Sequence, residues 1–146
     1  MSGTLFVLAL IGATAAYVVV AQRRLRARAT AEAQAAAGEQ AVHHAQDDAE
    51  YLGLTSKGLA QSSGQGCLLL TDEQIFYAQW EPRRRVRIRI DQVIDAKVTT
   101  KHERPTGGVP MLLVKFEDDT GEEDRATWIV DAPDRWAQTL RGLSPG

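Results

Sequence analysis

An uncharged, largely apolar run extends from Thr4 to Ala21 and is followed at once by Arg23, Arg24, Arg26 and Arg28. Its eighteen residues would rise roughly 27 Å as an α-helix, close to the hydrocarbon core of about 30 Å. The pattern predicts a single transmembrane anchor over residues 1–22. With the arginines on its C-terminal side, the positive-inside rule puts the N-terminus outside and the rest of the chain in the cytoplasm, at the inner membrane. Arg23, Arg24, Arg26 and Arg28 are then candidate contacts with the membrane surface. A cleaved signal peptide is the competing reading, with Ala13, Thr14 and Ala15 as a cleavage-like site. Tyr17, Val18, Val19 and Val20 continue the apolar run past it, which favours an uncleaved anchor. A buried soluble helix is a third reading and is opposed by the lack of a polar face. Gly12 and Ala16 form a small-xxx-small pair through which two such helices would associate into a homo-oligomer.

From residue 23 to 49 the chain is basic at first and then rich in alanine, glutamate and glutamine, with few large apolar residues. Propensity favours a helix, yet no face asks for burial. The segment is expected to be a semi-rigid helical stalk or linker, interrupted near Gly38, with disorder as the alternative. His43 and His44 precede Asp47 and Asp48 at i,i+4 spacing. On a helix, adjacent histidines diverge by about 100°, so the four cannot converge on zinc or nickel, and exposed His–Asp pairs are expected instead.

After Glu50 short apolar runs alternate with turn signals, the pattern of an all-β domain over residues 50–146. Seven strands are predicted: Tyr51 to Leu59, Cys67 to Thr71, Gln74 to Trp80, Arg85 to Ile90, Ile94 to Lys101, Met111 to Glu117 and Arg125 to Val130. The fourth alternates most clearly, Val86, Ile88 and Ile90 against Arg85, Arg87 and Arg89, placing apolar groups inward and guanidiniums outward. A last helix is expected from Asp131 as cap and Pro133 in the first turn to a stop at Gly142, with Trp136, Leu140 and Leu143 as its apolar stripe.

Composition narrows the function. Seventeen basic residues against nineteen acidic ones give no overall basic character, so nucleic acid is not expected as a partner. Cys67 is the single cysteine, set in an apolar stretch, and reads as a buried small hydrophobe.

The stretches GCLLLTDEQIFY (Gly66 to Tyr77), VRIRIDQVIDAKV (from Val86) and ATWIVDAPDRWAQTL (from Ala126) together resemble the bacterial pleckstrin-homology (PH) and GRAM-like domains. The resemblance covers about Glu50 to Leu143. It implies a mainly β, seven-stranded barrel or sandwich closed by a C-terminal helix. It also raises phosphoinositide binding, which in that superfold needs basic residues near the first hairpin loop. Here that loop, Ala60 to Gly66, has no Lys or Arg, and Lys57 alone precedes it.

One basic cluster remains, Arg83, Arg84 and Arg85 with Arg87 and Arg89 beyond it. These are candidate contacts for lipid or a protein partner, or else charges that guard an edge strand. The acidic run Asp118, Asp119, Glu122, Glu123 and Asp124 is expected at the end of the barrel where Arg83 to Arg85 lie. No phosphate-cradling loop, nucleophile elbow or metal-ligand motif occurs, and His102 sits in a loop of Pro and Gly, so neither an enzyme nor a cofactor is expected. The sequence reading is therefore a membrane-anchored cytoplasmic PH-like module for interaction or scaffolding. Its alternatives are an anionic-lipid sensor and an accessory subunit of a transporter or envelope complex.

Overall fold

The computed structural model describes residues 2–61, 63–103 and 106–144, and the side chains of these apart from 2–10, 59 and 60. Helix α1 (Ser2–Ala37) leads into strands β1 (Val42–Leu54), β2 (Gly64–Thr71), β3 (Gln74–Gln79), β4 (Arg85–Arg89), β5 (Val93–Thr99), β6 (Met111–Glu117) and β7 (Glu123–Ile129), and helix α2 (Pro133–Leu143) closes the chain. The strands form one antiparallel sheet in the order β4-β3-β2-β1-β7-β6-β5.

Strand β1 is the pivot of this order. Its first part pairs with β2, from Val42 opposite Thr71. Its last part pairs with β7, from Glu50 opposite Ile129 to Leu54 opposite Ala126, and the register slips at Val42/His44 and Gln46/Ala49 against β2 and at Tyr51/Gly53 against β7. Such breaks bend a strand and let a sheet curl over one core. That core gathers Tyr51, Leu68, Tyr77, Ile88, Val114, Trp128 and the α2 residues Trp136 and Leu140, all buried. Tyr51, Tyr77 and Trp128 form an aromatic group at its centre, with ring centroids 5.2 to 6.0 Å apart. At Gly66 a Cβ would stand 2.2 Å from the Ala78 carbonyl oxygen, so β2 and β3 can approach this closely only with glycine there.

A second, smaller core lies on the other face of β2 and β3. Cys67, Leu69, Phe76 and Ala78 point away from the main core and are covered by Ala29, Ala33 and Ala37 of α1. Spaced i, i+4 and i+8, these alanines make one stripe, and their small size lets the helix lie close to the sheet. Covered on both faces, β2 carries the unbroken apolar run Cys67 to Leu70 where a strand open on one face would alternate. The helix ends where expected, at Gly38 with φ +57°.

Four expectations are corrected by this arrangement. Among the described residues no helix is long and apolar enough to cross a membrane. The part of the expected anchor from Thr4 to Leu10 lies outside the described side chains. The described side chains of the helix, from Ile11 to Ala37, turn polar and arginine-bearing after Ala21, so this part is not apolar enough to cross a bilayer. The single-pass anchor, its orientation and the inner-membrane placement fall with it, and the Gly12 and Ala16 pair loses its setting.

The closed barrel is the second correction. Strands β4 and β5 are the two ends of the order and do not pair with each other, so the curled sheet is open. Third, the segment after Ala27 is docked on the sheet rather than standing free as a stalk, because its alanine stripe meets the outer face of β2 and β3. Fourth, β1 starts at Val42, so His43 and His44 stand on a strand, where neighbours point to opposite faces. At the C-terminal end, α2 begins after Ala132 in a left-handed conformation without a side-chain cap from Asp131, and it runs past Gly142 to Leu143. The stripe expected on it is buried at Trp136 and Leu140 and half-buried at Leu143, packed on the main core.

Candidate functional site

The fourth strand has the predicted alternation. Val86 and Ile88 face inward, Ile88 fully buried, while Arg85, Arg87 and Arg89 are exposed. The arginines differ in what holds them. Arg83 and Arg85 both reach Glu32 of α1, the latter with Nε 3.1 Å from Oε2. Hydrogen bonding from Arg85, then from Arg83, keeps the Glu32 carboxyl below its usual range. Arg84 lies over the Tyr51 ring at 5.9 Å and Arg87 over the Phe76 ring at 5.6 Å. Arg89 pairs with Asp91 at 3.0 Å and Asp119 at 3.6 Å.

Because β4 ends the sheet, half of its main-chain groups face outward. Gln79 donates its N–H to the Arg84 carbonyl at 2.8 Å, and Ile90 donates to the Glu73 carbonyl at 2.9 Å. In an antiparallel ladder the residues bonded to the neighbour alternate with residues turned away. In the register Ala78 opposite Arg85 to Gln74 opposite Arg89, Val86 and Ile88 bond to β3. The N–H and C=O groups of Arg85 and Arg87 are therefore turned to the open edge. The outward N–H of Arg89 is already given to Gln92 Oε1 at 2.9 Å.

Along this edge runs a cavity of about 240 Å³. Lys57, Arg84, Arg85 and Arg87 stand at its rim, and Tyr51, Ile88 and Phe116 form its apolar floor. Burial pushes the Tyr51 phenol up to about 12. The site thus joins strands distant in sequence: β1 supplies Tyr51, the turn after it Lys57, β4 the arginines and β6 Phe116. The arginines were legible as an alternating pattern. Phe116 and Tyr51 were missed, since an inward aromatic on one strand carries no signal that another strand leaves a gap beside it.

The acidic run divides instead of gathering at the Arg83 to Arg85 end. Asp118 accepts hydrogen bonds from the N–H and hydroxyl of Thr120 and from the N–H of Glu122, which folds the turn on itself. Its carboxyl is held low, chiefly by the Thr120 hydroxyl. Asp119 meets Arg89, at the far end of β4 from Arg83 to Arg85. Asp124 is buried and accepts from Ser56 N–H at 3.1 Å and Ser56 hydroxyl at 2.6 Å.

The other arginine group divides. Arg26 grips Asp47 with Nε and Nη2 at 2.8 and 2.6 Å and lies 5.5 Å over the Trp80 ring. Arg28 donates to the Trp80 carbonyl at 2.9 Å. Both fasten α1 to the sheet, while Arg23 and Arg24 stand exposed on the same helix. His43 and His44 go to different partners, Asp72 Oδ1 at 2.5 Å and Thr139 Oγ1 at 2.8 Å. Among the described residues no three of His, Cys, Asp or Glu are grouped to hold a metal ion. Cys67 is buried under α1, and that burial raises its thiol above the usual range. His102 borders a separate cavity of about 180 Å³ with Lys101, Arg125 and Thr127 on the outer face of the sheet. Pro105, in the same loop, lies outside the described residues, as does Ser62 of the first hairpin loop.

No protein-family model matches the chain. No curated protein matches it either. Solved structures do resemble it. A chain of the 8S snRNP assembly intermediate has a TM-score of 0.53 and 12% identity, covering 72% of this chain and 85% of that one. The C-terminal domain of an unknown protein from Leishmania infantum has a TM-score of 0.52 and 11% identity, covering 77% and 91% respectively. The likeness is one of fold. At such identity it carries no statement about ligands.

Proposed function

We propose that this chain is a PH-like interaction module, without catalytic activity, that engages a protein partner at the open edge of β4. One observation carries the reading. A free sheet edge, a rim of four basic side chains and an apolar floor meet in a single cavity of about 240 Å³. Convergence of charge, apolar surface and unpaired main chain is what a recognition surface needs, and none of the three alone requires a partner. The strand order ending in a helix packed on the core supports the PH-like reading.

The same arginines would also attract an anionic lipid surface, each contributing about 1 kcal/mol. Against that, Arg83 and Arg85 share Glu32, and Arg89 is flanked by two carboxylates, so the basic surface is locally offset. The test compares the full chain with a double variant, Arg85→Glu with Arg87→Glu, offering each an acidic peptide library and phosphatidylserine vesicles. Peptide binding that falls in the variant supports the reading. Peptide binding equal in both, or binding to vesicles alone, overturns it.

A further inference from the structure

Resting on the reading of β4 as the interaction edge, we infer that its partner is an extended segment with alternating acidic and apolar residues, which adds to the sheet as a strand beside β4. Three observations define that chemistry. The outward N–H and C=O groups of Arg85 and Arg87 offer hydrogen bonds to a neighbouring strand. A strand laid there presents successive side chains to opposite faces, with a period of two. One set would meet the exposed guanidinium of Arg87, beside Arg85 whose charge is shared with Glu32, and the other would descend onto Val86 and Phe116 lining the cavity.

Charge decides against two other occupants. A second copy of β4 would set arginines against arginines, and like charges across a strand pair oppose pairing. A basic segment meets the same repulsion. Strand β5, the other end of the sheet, is a poorer acceptor. Helix α2 packs against it, the Val93 carbonyl already accepts the Ser144 hydroxyl at 2.9 Å, and its exposed charges, Asp95 and Lys97, are of mixed sign. The length of the acceptor is set as well. With the Arg89 N–H given to Gln92 and its side chain to Asp91, the edge open for pairing is centred on Arg85 to Arg87.

The experiment uses the full chain and two capped hexapeptides of glutamate and valine, one strictly alternating and one with the same residues grouped. Alternation should bind about tenfold more tightly, since grouping removes either the arginine contacts or the floor contacts while the ladder stays. Two variants then separate main chain from charge. Arg87→Gln removes the guanidinium alone, whereas Arg87→Pro removes both it and the outward N–H, which β3 does not use. With circular dichroism confirming that both are folded, Arg87→Pro should bind the alternating peptide more weakly than Arg87→Gln.

Equal binding of the two peptides, or equal loss in the two variants, overturns strand addition. If that equal binding still falls when Arg85 and Arg87 are reversed to Glu, the edge remains an interaction surface read by charge alone. If no peptide binding depends on these arginines, both the inference and the reading beneath it fail.

Discussion

Glu32 of α1 reaches over the sheet to Arg85 of β4, its Oε2 3.1 Å from the Arg85 Nε, and its other oxygen takes Arg83. A carboxylate from the first helix thus neutralises part of the basic edge and fastens that helix at the same time. The pairing separates residues that look alike in sequence: Arg83 and Arg85 are partnered within the chain, whereas Arg87 lies on Phe76 and keeps its charge toward solvent.

Glu32→Gln should loosen α1 modestly. The arginine side chains are more than half exposed, so solvent screens the pairs and the loss should be about 1 kcal/mol or less. Since the folded carboxyl lies below its usual range, its contribution is present above the unfolded pKa and is lost as pH falls through the folded one. Urea unfolding across the acid range should show a shallower decline for the variant than for the parent.

Docking of α1 has a built-in reporter in Cys67. Only 3% of it is exposed, beneath Ala29 and Ala33. Replacing Ala33, which is fully buried, by Leu inserts three carbons where the helix touches the sheet, and overpacking of this kind costs about 1–3 kcal/mol. Alkylation of Cys67 by iodoacetamide should accelerate in Ala33→Leu while the main core stays folded. An unchanged rate would mean that α1 does not cover the thiol in solution.

Trp136 anchors α2 to the main core and stacks on His44 at 5.1 Å. Truncation to Ala should remove about 3–5 kcal/mol, a large share of a small domain's stability. The check is the urea midpoint of the full chain. A midpoint equal to the parent's would place α2 outside the cooperative unit.

Burial lowers the His44 pKa, with smaller contributions from the nearby positive charges of His43 and Arg135. The folded state therefore takes up this proton less readily than the unfolded chain. Stability is full above the unfolded pKa of about 6.5 and falls as the pH drops from there through the folded pKa. His44→Gln should flatten that part of the stability profile, leaving the lower-pH decline due to Glu32 in place.

The sheet was largely legible because half-buried strands declare themselves by alternation, as Val86 and Ile88 against Arg85, Arg87 and Arg89 do. The packing of α1 was not. Alanine at positions 29, 33 and 37 carries little apolar signal, and its burial depends on Cys67, Leu69, Phe76 and Ala78, residues 30 or more positions away. The same run, Cys67 to Leu70, did hint at burial on both faces. The alanine-rich surroundings of His43 and His44 favour a helix by propensity, and pairing of β1 with β2 overrides that preference. The anchor is not supported because the described helix continues past Ala21 into a polar, arginine-bearing segment, and no described stretch of it is long and apolar enough to cross a membrane. Of the site, the arginines were visible and the gap beside them was not, since whether a curled sheet closes depends on how β4 and β5 end, which no local pattern records.

The account stands on the openness of the β4 edge, and amide hydrogen exchange in the free chain tests it most directly. The N–H groups of Val86 and Ile88 point to β3 and should be protected, whereas those of Arg85 and Arg87 point outward and should exchange rapidly. Alternating protection along these four residues is the predicted result. Uniform protection would show that the edge is already paired or covered, and the interaction surface proposed for it would be contradicted.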